Sequence, residues 1–148
     1  NGGTGATSFS PGKVLQVVTA TDDTVRNTSS TSFVTASNTL SVNITPSSSS
    51  NKIFAIATTP VRIDNQGASG YITIYRGSTN LGNASGLGNQ YSDDGGATWS
   101  PSSVSVLDSP SSTSQLTYQV YVRTNNSGIP ARLNQDSRGT ITVMEIAG

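Results

Sequence analysis

Cysteine and histidine are both missing from this chain of 148 residues. Without them there is no thiolate nucleophile, no disulfide framework, no Ser-His-Asp triad and no zinc site of the usual kinds. Charge is scarce too. The 8 Lys+Arg balance 8 Asp+Glu, and charged residues make up only 11% of the chain. A nucleic-acid binder needs surplus cations to displace counterions, so that class is excluded. No apolar run approaches the roughly 20 residues that cross a bilayer as a helix, so membrane insertion is not expected. There is no signal-peptide pattern, and the chain starts at Asn1 instead of Met, as expected of a piece of something longer. No cofactor, no metal and no enzymatic activity are expected.

What is present is polar. Ser, Thr, Asn and Gly make up roughly half of the chain, against 32% hydrophobic residues. That composition alone would fit disorder, but the pattern does not. Residues 1–12, NGGTGATSFSPG, read as a flexible Gly-rich arm or linker. Residues 13–148 read as a single domain of short Val-, Ile-, Thr- and Tyr-rich runs, broken by Ser, Asn, Gly and Pro clusters. No stretch sustains a helical apolar period with caps. The alternation predicts strands over residues 13–19, 31–35, 39–45, 52–59, 70–76, 104–107, 114–124 and 140–146. About eight strands predict an all-β antiparallel β-sandwich, and specifically a jelly roll. Residues 78–103 read as a long irregular region, the kind that is usually functional or mobile. The first and last strands, KVLQVV and TITVMEI, are apolar on both faces. Such strands sit mid-sheet or under another chain, and a homo-oligomer is the expectation.

The sharpest local pattern is Ser92-Asp93-Asp94-Gly95-Gly96-Ala97-Thr98-Trp99. Read as S-x-D-x-G-x-T-W, it resembles the Asp-box of sialidases, which is a turn device and not a catalytic one. It occurs once, without the repeat of a propeller, and reads here as a turn stabiliser. The acidic pairs Asp22-Asp23 and Asp93-Asp94 leave Ca²⁺ binding or a glycosidase pair open. Neither has a D-x-D-x-D-G loop, and solvated turn caps are the commoner use. Tyr71, Tyr75 and Tyr121 read as filling a second face or a subunit seam. Tyr91 and Trp99 fall in the long loop, where rings beside polar groups suit sugars. With Asn89, Asp93 and Asp94 they form the candidate ligand contact, the rings for stacking and the amide and carboxylates for hydroxyls.

Several segments together resemble a known family. The opening GGTG-x-T-x-F resembles linkers between modules of bacteriophage tail fibres. The runs GKVLQVV, TSFV, LSVNITP, KI, IYRGSTNL, LDSP and TITVMEI, in that order, resemble a distal domain of tailed-phage fibres. The likeness covers nearly the whole chain, and residues 82–101 show none of it. It implies a tail- or head-fibre module, usually a homotrimer, joined to an upstream fibre module. Such a module attaches to a host cell-surface glycan or protein, and is exposed extracellularly on the virion after assembly in the host cytoplasm. The lack of Cys agrees with assembly in a reducing compartment. The alternative is a purely structural trimerisation or virion-decoration module.

Overall fold

The computed structural model describes residues 12–64, 67–93 and 96–148; apart from Gly12, the expected arm lies outside them. Among the described residues all the regular structure is strand, and every strand pairing is antiparallel. The chain is a β-sandwich of two sheets.

The first sheet is built on β4 (Lys52–Ile63). One edge of β4 pairs along its length with β8 (Thr98–Asp108). Its other edge is shared by β11 (Gly139–Ile146) at one end and β10 (Ala131–Leu133) at the other. Beyond these lie β1 (Val14–Asp22) on β11 and β2 (Arg26–Thr28) on β10. In the second sheet, β3 (Ser41–Ile44) pairs with β9 (Leu116–Thr124), and β9 with β5 (Ala68–Arg76). The far edge of β5 is shared by β7 (Gly88–Ser92) and β6 (Thr79–Asn80). Among the described residues, eleven strands thus fill eight sheet positions.

Period-two alternation explains the core. In β9, Tyr118, Val120 and Val122 point inward and are buried, while Gln119, Tyr121 and Arg123 point out. In β4, Ile53, Ala55, Ala57, Val61 and Ile63 do the same. They meet Ile72, Ile74, Leu133, Ile141 and Val143 between the sheets.

Pro60 sits in the middle of the central strand and has no N–H to give. Its carbonyl accepts from the Asn134 N–H at 3.1 Å, so its backbone faces the break between β11 and β10. Its partner across β4–β8 is Pro101, on an edge strand whose unpaired side faces outward. Neither proline breaks a ladder.

Three expectations change. Residues 31–35 form no strand, because the chain turns at Ala36 and Ser37 with φ of 50° and 57°. Only Val34 keeps a bridge, to Val122. The region 78–103 holds β6, β7 and the first part of β8. The last strand is mid-sheet, between β1 and β4, whereas the first is at an edge with Val14, Leu15 and Val17 exposed.

The register Val14↔Ile146 places the chain's entry and β11's exit at one end of the sandwich, here the base. The β4–β5, β7–β8 and β9–β10 connections lie at the other, distal end.

Candidate functional site

The β7–β8 connection carries the chain from the edge of the second sheet to the edge of the first. Its inward side chains hold the two edges together. The Ser100 hydroxyl donates to Gln90 Oε1 at 2.5 Å, and the Thr98 hydroxyl to Ser92 Oγ at 3.4 Å. Ser92 Oγ closes the turn by donating to the Gly96 carbonyl at 2.7 Å. The Asp-box-like stretch is thus tied together by its serine, which links the described residues on either side of positions 94–95. Its Trp99 does not pack beneath the turn but is half exposed.

Alternation then decides where the predicted residues go. Asn89 and Tyr91 lie on the outer face of the second sheet. Trp99 lies on the outer face of the first sheet, beside Arg62. Asp93 is exposed in the turn, and Asp94 lies outside the described residues. The crossing from β7 to β8 thus leaves Asn89 and Tyr91 on one face and sets Trp99 on another.

Around Trp99, the Arg62 guanidinium stands 5.4 Å from the indole ring. Arg62 and Arg132 each reach Asp64 at 2.5 Å, so one carboxylate holds two guanidinium groups. Both stems lie on strands in direct register, Arg132↔Arg62↔Trp99.

The second sheet's outer face is richer in rings. Arg123, Tyr71 and Asn89 are neighbours in register across β9, β5 and β7. The Arg123 guanidinium lies 3.9 Å from the Tyr71 ring centroid and 5.1 Å from that of Phe33. Its Nη2 donates to the Ala84 carbonyl at 3.3 Å. Tyr75 stacks on Tyr121 at 4.0 Å, and Phe33 tilts against Tyr75 at 6.3 Å. Tyr71, Tyr75 and Tyr121 therefore share a second face, alongside Asn89 and Tyr91. Two contributors escape the sequence reading. Arg123 was legible only as an outward residue of its strand, and Phe33 gave no signal, since a single bridge positions its loop.

The other acidic pair separates. Asp22 is buried and accepts from Arg26 Nε, Thr24 N and Thr39 N, all at 2.9 Å. Burial alone would raise its pKa; the hydrogen bonds from Arg26, Thr39 and Thr24 outweigh that and lower it. Asp23 pairs instead with Arg138 at 2.6 Å in the open. Among the described residues, no three acidic side chains gather where a metal ion could be held.

No family model matches the chain, and no curated protein matches it. Among solved structures it is similar to VP2 of infectious bursal disease virus. A mutant VP2 from derived T=1 particles is 15% identical, with a TM-score of 0.42, over 88% of this chain and 36% of that one. The T13 viral particle of the same virus gives 14% identity and a TM-score of 0.44, over 90% and 36%. The chain thus spans little more than a third of the length of these structures.

Proposed function

We propose that the chain is the distal domain of a tailed-phage virion fibre, of tail or head, that trimerises and attaches the particle to a cell-surface glycan. We read the strand order β1-β11-β4-β8 facing β3-β9-β5-β7 as that of a jelly roll. The reading involves no catalysis, metal or cofactor. It rests on the sequence resemblance and on one structural observation.

That observation is the change of character along the outer face of the first sheet. Near the base, Val17, Met144, Phe54 and Leu107 form one row in register across four strands. The next row is Thr19, Thr142, Ile56 and Ser105. Neither row holds a charged side chain, and Val17 and Leu107 are each 55% exposed. Two uncharged rows, the first of them apolar, can meet their own copies without like-charge repulsion. Toward the distal end the same face turns to Trp99 and the Arg62–Asp64–Arg132 array. Burying the base rows in a trimer anchors the domain where the upstream module joins. It leaves Trp99, Asn89, Tyr91 and Asp93 toward the free end, with threefold avidity.

The test has two arms. Sedimentation should give a trimer, and fluorescently labelled protein should be retained on bacterial cells and on a glycan array. Trp99→Ala should weaken array binding if the first sheet's distal end takes part. A stable trimer that binds no cell supports the structural alternative, which the apolar rows alone would also serve.

A further inference from the structure

We infer that the outer face of the second sheet binds a carboxylate-bearing saccharide, with Arg123 taking the acid group and Tyr91 stacking on a sugar ring. The inference rests on the attachment reading and names its ligand class.

The argument begins with how the arginines are used. Arg26, Arg62, Arg76, Arg132 and Arg138 each form an ion pair with an aspartate. Arg123 alone pairs with no carboxylate among the described residues; it stacks on rings. The outward side chains of β3, β5, β7 and β9 include no Asp or Glu, so Arg123 is the one charged outward side chain of those strands; exposed Asp93 lies just past the end of β7. The Arg123 guanidinium packs against the Tyr71 and Phe33 rings instead of a carboxylate. One edge is oriented by the Ala84 carbonyl. A pre-oriented fork of this kind matches the two oxygens of a carboxylate.

The rest of the face suits sugar. Tyr91 is 49% exposed, on the edge strand β7, a good position for a ring to lie flat on its phenol. Asn89 lies on the same strand, next to Tyr71, and offers an amide to hydroxyls. Strand spacing and rise put the Tyr91 and Arg123 backbones about 12 Å apart, two strands across and two residues along. Ring and fork are therefore met by different units of an oligosaccharide, not by one monosaccharide. The first sheet's Arg62 and Arg132 are a poorer acid site, since Asp64 already occupies both.

The experiment is an array carrying uronic-acid- and sialic-acid-terminated oligosaccharides beside their carboxyl-reduced counterparts, probed with the full chain. Acidic forms should bind about tenfold or more better than reduced ones, with binding that falls as salt is raised. Arg123→Gln should abolish that preference, and Tyr91→Ala should weaken acid binding by a similar factor. Arg138→Gln, a charge-matched exposed control, should change neither. Tyr91 is half exposed on an edge, so its variant keeps the test meaningful if Arg123→Gln misfolds. Equal binding of acidic and reduced forms, or unchanged binding in both variants, overturns the inference. If the protein is still retained on cells in that case, attachment itself stands. A protein retained on no cell and no glycan overturns both.

Discussion

Glu145 is the chain's single glutamate, and it sits on an otherwise apolar strand with 1% of its surface exposed. It accepts from Ser47 N at 2.7 Å, Ser47 Oγ at 2.8 Å, Asn51 Nδ2 at 2.5 Å and Gln16 Nε2 at 2.6 Å. Burial pushes its pKa up; the donors from Asn51, Gln16 and Ser47 outweigh that and hold it down at about 2, from 4.5. A folded-state pKa below the unfolded one adds stability above the unfolded value and loses it as pH falls through the folded value. Stability should therefore decline as pH drops from 4.5 to about 2, and the lowered Asp22 acts in the same direction. Glu145→Gln should cost roughly 1–3 kcal/mol at pH 7 in urea unfolding and flatten the acid limb. An unchanged midpoint would show the carboxylate to be unneeded. Nothing in TITVMEI announced this role, because Ser47 and Asn51 lie more than 90 positions away.

At the scale of elements, alternation made β1, β3, β4, β5, β9 and β11 legible. Each carries apolar residues on one face over several positions. It failed for β7, whose inward positions Gln90 and Ser92 are polar. That strand exists because β5 offers it an edge from Ala68 to Ile72. β2, β6 and β10 are three residues or fewer, too short for a period to show. Of the candidate site, the exposed rings Tyr91 and Trp99 were legible. Their separation onto two faces was not, because it follows from a connection that crosses from one sheet to the other. The loop before β7 depends on Gly86, which has φ of 81°. A Cβ there would lie 2.6 Å from the Ile72 carbonyl oxygen. Gly86→Ala should lower stability by more than about 1 kcal/mol, read by thermal melting. It should also disturb Arg123, since Ala84 lies in the same loop. A melt and array profile like those of the wild type would refute this.

At the scale of the whole molecule, the base rows of the first sheet make a prediction about assembly. Val17→Asp or Leu107→Asp puts a charge into a face that the proposed trimer buries, while the exposed side chain leaves the monomer's core intact. Each single variant should sediment as a monomer with an unchanged melting profile at low concentration. A variant that remains trimeric would move the interface elsewhere. The mid-sheet place of β11 bears on how such a subunit is made. Among the described residues β1 has β11 as its one strand partner, so residues 14–22 join the sheet only through residues 139–146. During synthesis the first strand must wait, unpaired, until residue 146 has left the ribosome. Closure of the sheet is then a late, long-range and slow event. Met144 arrives in the same step and completes the apolar row. A chain terminated before β11 therefore has neither a closed sheet nor a finished apolar row.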